Sequence, residues 1–180
     1  MTRFIGLLRA VNIGPHKQVS MAALRNLLIK LRFDDPRTLL QSGNVVFGAD
    51  KREPTDLERV LAAEVEKMLG VATDFFVRTA AEWAEIVASN PYIKEAELDP
   101  SHLILMALKD KPLDHACQEL QSAIKGPEQV TIGERHGYIV YPDGIGRSKL
   151  TTAIIERKLG TRATGRNWNT VLKLQALGDS

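Results

Sequence analysis

One cysteine, Cys117, stands in 180 residues, which excludes a disulfide framework and a cysteine-built metal cage. No apolar run approaches the roughly 20 residues that cross a bilayer. The opening Met-Thr-Arg-Phe-Ile-Gly-Leu-Leu-Arg meets charge too early for a secretory signal. Low-complexity tracts are absent. His16, His102, His115 and His136 show no ligand spacing, so neither a metal nor a cofactor is expected. Asp143–Thr151 (DGIGRSKLT) lacks the Gly-Lys-Ser/Thr order of a phosphate loop, which excludes a nucleoside triphosphatase. Ser148 has no legible His or Asp partner, and no carboxylate pair stands out. These absences predict a protein of the reduced cytoplasm with no membrane partner.

What is present is an ordinary globular balance of 44% hydrophobic and 26% charged residues. Acid is missing from Met1–Phe33, where Arg3, Arg9, Lys17, Arg25, Lys30 and Arg32 stand alone. Gly144–Gly178 carries seven bases against one acid, Glu156, whereas Asp34–Asp143 carries eleven bases and twenty acids. The total is only +2, but a field divided in this way can attract an anionic partner. The same charges can instead lie on solvated faces that never converge.

The element order repeats. Phe4–Val11 reads as a buried strand, and a turn-rich loop leads to a helix capped by Ser20 with Met21, Leu24, Leu27, Leu28 and Leu31 inward. Asp34-Asp35-Pro36 is expected to stop that helix. Thr38–Gln41 and Val45–Phe47 read as strands joined by a Ser42-Gly43-Asn44 turn. Thr55 and Glu58 read as a capping box opening the second helix, and Val71–Arg78 as the fourth strand. A second box, Thr79 and Glu82, opens a helix ended by Asn90-Pro91, and polar Pro91–Pro100 reads as a linker. Then follow a strand at His102–Leu108, a helix after Pro112, strands at Gln129–Ile132 and Tyr138–Tyr141, and a helix over Arg147–Leu159. A short strand at Arg162–Thr164 and a last helix over Asn167–Leu177 complete the chain.

The order β-α-β-β-α-β, met twice, predicts an α+β fold of two tandem ferredoxin-like (split βαβ) halves with antiparallel sheets. The expected division is 1–78, a helix and linker over 79–100, and 101–180 with the C-terminal helix. The first and third strands of each half are expected to run parallel. That would place the Arg9–Lys17 and Asp143–Ser148 loops at equivalent sheet edges, and the Ser42 turn at the opposite edge from Arg9.

Arg9-Ala10-Val11-Asn12-Ile13-Gly14, Met21-Ala22-Ala23-Leu24-Arg25 and Thr38–Phe47 (TLLQSGNVVF) resemble the start of the bacterial domain-of-unknown-function family 1697. Ser148-Lys149-Leu150 and Thr164–Thr170 (TGRNWNT) resemble its closing motifs. The resemblance implies the same tandem ferredoxin-like fold and no established activity. One departure stands in the first loop. The family has two adjacent glycines there, and this chain has Gly14 followed by Pro15 and His16.

Four segments could carry chemistry. In the first loop Arg9 can pair with phosphate or carboxylate, Lys17 adds a point charge, and Asn12 either binds a polar edge or fixes the turn. Ser42 and Asn44 belong to the hairpin. Arg147, Ser148 and Lys149 precede a helix, where Ser148 is the expected N-cap. Arg166, Asn167, Trp168 and Thr170 gather polar groups round an indole that can stack on a base or pack in the core. Three readings stay open: a binding protein for a phosphorylated small molecule or nucleic acid, an enzyme acting on a phosphorylated or carboxylated metabolite, and a protein-interaction module. The expected state is monomer or weak dimer.

Overall fold

Thr2–Leu8 is apolar on both faces and forms β1, one of the two inner strands of a four-stranded sheet. In the computed structural model, which describes all 180 residues, Met1–Ala88 and Lys173–Ser180 form one compact unit and Ser89–Leu172 a second. There are seven α-helices and two antiparallel four-stranded sheets. No helix is long and apolar enough to cross a membrane.

In the first unit, β1 is followed by α1 (Met21–Lys30), β2 (Asp34–Leu39), β3 (Asn44–Ala49), α2 (Pro54–Leu69), β4 (Phe75–Thr79) and α3 (Ala80–Ala88). The strand order is β2-β3-β1-β4. Phe4, Leu8, Val45, Phe47, Phe75 and Val77 point from one face into a core closed by Leu24 and Leu28 of α1 and Leu57, Leu61 and Val65 of α2. The rings of Phe4 and Phe47 stack at 5.7 Å. Ile5, Leu7, Val46 and Phe76 occupy the other face and are equally buried. Two-sided burial is why β1 reads as a continuous apolar run rather than an alternation.

The second unit opens with α4 (Ile93–Leu98), followed by β5 (Leu103–Leu108), α5 (Asp114–Ala123), β6 (Gln129–Ile132), β7 (His136–Val140), α6 (Thr152–Leu159) and β8 (Ala163–Asn167). Its sheet order is β6-β7-β5-β8. Ile104, Met106, Ile139 and Tyr141 meet Leu120 of α5 and Ile155 and Leu159 of α6 in its core. The last helix, α7 (Trp168–Asp179), begins in this unit, and its residues from Lys173 belong to the first.

Several local expectations are corrected. α1 ends at Leu31, and Arg32, at φ 61°, turns the chain. Asp34-Asp35-Pro36 therefore starts β2 rather than stopping a helix. Pro36 is tolerated because β2 is an edge strand that bulges between Asp34 and Arg37. The Thr55–Glu58 capping box does not form. α2 begins at Pro54, and Glu58 turns inward to accept a hydrogen bond from the Val77 amide at 2.9 Å. The Thr79–Glu82 box does form, with Glu82 N–H donating to Thr79 Oγ1 at 3.1 Å and Thr79 N–H to Glu82 Oε2 at 2.7 Å. The polar stretch read as a linker contains α4, a six-residue helix with no buried residue and hence no apolar stripe to betray it.

The largest correction concerns direction. β1 and β3 pair antiparallel, with Leu7 opposite Asn44, and β5 and β7 do the same. In an all-antiparallel sheet of this order, the second–third hairpin lies beside the exit of the first strand. The exits of the first and third strands lie at opposite edges. The Ser42 turn thus adjoins the Arg9 loop, and the Asp143 loop has no equivalent there.

Candidate functional site

At the exit of β1 the chain crosses a loop built on left-handed residues, with Ala10 at φ 52°, Asn12 at 57°, Gly14 at 73° and Lys17 at 54°. Asn tolerates that region better than most side chains. Asn12 uses its position fully. Its Nδ2 donates to Val19 O at 2.8 Å and Gln41 O at 2.7 Å, and its Oδ1 accepts from the Val19 amide at 2.8 Å. It clasps both ends of the loop to the β2–β3 hairpin. The hairpin is tied in turn by Leu8 N–H donating to Gly43 O at 2.8 Å.

Asn44 is fully buried and donates to Leu39 O at 2.7 Å and Ser42 Oγ at 3.0 Å. Asn12 and Asn44 are therefore clasps that spend their amide groups on the loop and the hairpin. Arg9 is half-buried, with its N–H on Asp74 O and its carbonyl accepting from Thr73 Oγ1. Lys17 and Ser42 are exposed.

In the second unit the TGRNWNT motif is strand first and helix second, since β8 runs to Asn167. Asn167 Oδ1 accepts from Thr170 N–H at 3.0 Å and so caps α7. Trp168 is 3% exposed and its ring lies 6.3 Å from that of Tyr138. The indole therefore packs in the core, the second of the two roles the sequence left open. Thr170 is buried too. Arg166 is 7% exposed, and its Nη1 donates to Thr164 Oγ1 at 3.0 Å and Gly165 O at 2.9 Å. Desolvation lowers its pKa to about 10. A guanidinium committed to its own strand is not a surface phosphate clamp.

The remaining group converges. Ile145–Arg147 forms a single 3₁₀ turn between β7 and α6. Thr151, not Ser148, caps α6, accepting from the Ile154 amide at 3.3 Å. Ser148 is left to line a cavity of about 360 Å³ together with Arg147, Lys149, Lys125, Glu128 and Asp143. Its apolar wall includes Ile124, Pro127, Leu150 and Ile154.

Arg147 and Lys149 are exposed and form no ion pair, and the same holds for Lys125. Ser148 Oγ donates to Glu128 Oε1 and accepts from the Leu150 amide at 3.0 Å. The other oxygen of Glu128 lies against Gly126, in space that a Cβ would fill. The wall behind is held by Tyr141, whose hydroxyl donates to Leu150 O at 2.9 Å. Burial, and secondarily the charge of Glu128, raises the pKa of that hydroxyl.

Of the twelve residues singled out in the sequence, three share this cavity: Arg147, Ser148 and Lys149. Lys125, Glu128 and Asp143 were missed as partners. Nothing in the sequence shows that Gly126-Pro127 faces the turn after β7. No group of His, Cys, Asp and Glu side chains is arranged to hold a metal ion.

A family model described as a protein of unknown function (DUF1697) matches residues 1–138. The chain belongs to that family. The match spans the Arg9 loop, the first helix and the TLLQSGNVVF hairpin, whereas Ser148-Lys149-Leu150 and TGRNWNT lie beyond the matched residues. Among solved structures, a conserved bacterial protein from Streptococcus pneumoniae is similar at 18% identity, with a TM-score of 0.73 over 98% of each chain. At that identity the likeness establishes the fold alone. No curated protein matches.

Proposed function

We propose that this DUF1697 protein binds an anionic ligand, and that the ligand is a phosphorylated small molecule held in the cavity of the second unit. One observation carries the reading: Lys125, Arg147 and Lys149 line a single cavity and none of them is neutralised by an ion pair. Cations left unpaired beside an apolar wall favour phosphate, which Arg can hold bidentately and Lys as a point charge. A volume near 360 Å³ suits a small ligand. Nucleic acid is the weaker alternative, because both TGRNWNT side chains that would have gripped it, Arg166 and Trp168, are buried. We read each unit as a ferredoxin-like half acting as scaffold, and the protein as cytoplasmic and monomeric or weakly dimeric.

The test is isothermal titration with inorganic phosphate and simple phosphate monoesters, on the wild type and on the double variant Arg147→Ala, Lys149→Ala. Each charged hydrogen bond removed is worth about 1.5–3 kcal/mol, so affinity should fall at least tenfold while the melting temperature stays unchanged. Equal binding by the variant would place the site elsewhere.

A further inference from the structure

We infer that the ligand of this cavity carries a hydrogen-bond donor, an ammonium or hydroxyl group, at the end opposite its phosphate, and that Glu128 receives it. The inference rests on the phosphate reading above and narrows its substrate class. A cavity built only for an anion would have no use for a carboxylate, since like charges repel in a partly desolvated site. Here Glu128 is half-buried in the same cavity as the three cations.

Its carboxylate is also held in place. Ser148 Oγ donates to Oε1, and Oε2 rests over Gly126, where no side chain crowds it. A carboxylate offers about four acceptor sites, and the Ser148 hydroxyl occupies one. Cations stand free on Lys125, Arg147 and Lys149, while a preorganised acceptor stands on Glu128. A ligand that bridges them must be anionic at one end and a donor at the other. The apolar wall, with Ile124, Pro127 and Leu150, suits the short carbon chain between.

Three probes separate the two claims by titration calorimetry: inorganic phosphate, ethyl phosphate and O-phosphoethanolamine. The two esters share the phosphate and carbon chain, and only the second carries an ammonium group. The inference expects O-phosphoethanolamine to bind at least tenfold tighter than ethyl phosphate. Glu128→Gln should shrink that preference to within about twofold, and ethyl phosphate should bind it more tightly than the wild type because a like charge has left the cavity. Gln keeps an oxygen for Ser148, so this variant retains the local hydrogen bond.

Equal binding of the two esters, lost together in the Arg147→Ala, Lys149→Ala variant, would overturn the inference and leave the phosphate reading standing. A preference that survives Glu128→Gln would overturn the assignment to Glu128. If none of the three probes binds, the phosphate reading falls and the inference with it.

Discussion

Replacing Asn12 by alanine removes three hydrogen bonds at once and leaves a Cβ-bearing residue without a polar side chain at φ 57°. The two bonds to Val19 are partly buried and the one to Gln41 is exposed. A net hydrogen bond contributes about 0.5–1.5 kcal/mol, the exposed one falling at the low end. The left-handed backbone adds about 1 kcal/mol for alanine. The combined loss is about 3 kcal/mol. A chain of this size loses about 2–4 °C per kcal/mol, so melting followed by circular dichroism should fall by about 6–12 °C. Asn12→Gly loses the bonds but not the backbone freedom, and should lie about 1 kcal/mol above the alanine variant. Asn12→Asp keeps the acceptor for Val19 N–H but sets its second carboxylate oxygen against the Val19 and Gln41 carbonyls, and should be no milder than the glycine variant. A fall under 2 °C for Asn12→Ala would refute the clasp.

Gly43→Ala should be far worse than Gly14→Ala, although both residues have positive φ. A Cβ at Gly43 meets Val11 Cγ2 at 2.8 Å and Leu8 Cβ at 2.9 Å, whereas one at Gly14 meets nothing within 4 Å. Urea denaturation should show about 2–4 kcal/mol lost at Gly43 and about 1 at Gly14; equal losses would mean that the hairpin does not press on the β1 exit. Burial pushes the Tyr138 hydroxyl up to about 12 and raises that of Tyr141 further. Because the unfolded chain ionises near pH 10, their stabilising contribution is complete below that pH and is lost as pH rises toward the folded values. Each removes about 1.4 kcal/mol per pH unit above 10. Absorbance at 295 nm should show the Tyr138 phenol ionising only near pH 12 or on unfolding, and that of Tyr141 no earlier; normal titration of all three tyrosines at pH 10 would contradict the burial of these two.

The alternation of apolar and polar segments was enough to read every element but α4, because each of the others carries an apolar stripe or an apolar run. Ser20 as a cap and the Thr79–Glu82 box were legible for the same reason: their partners lie three residues away. Failures came where the partner is distant in sequence. Glu58 looks like a capping residue until Val77, 19 residues on, is seen to donate to it. Trp168 and Arg166 look like a surface grip until β8 is placed beside β5, with Arg166 opposite Leu105. α4 was invisible because a short polar helix has no periodicity to read.

Local chemistry alone therefore determined the composition class, the split of charge along the chain, and the β-α-β-β-α-β plan met twice. Antiparallel sheets were legible from the element order, but which loops are neighbours was decided only by the folded sheet. Backbone pairing between β1 and β3 sets the Asn12 loop against the Ser42 turn, and residues far apart in sequence carry no mark of that register. The cavity belongs to the same class. Lys125 and Arg147 come from different connections, and only the packing of α5 and α6 over one sheet brings their charges to a shared space.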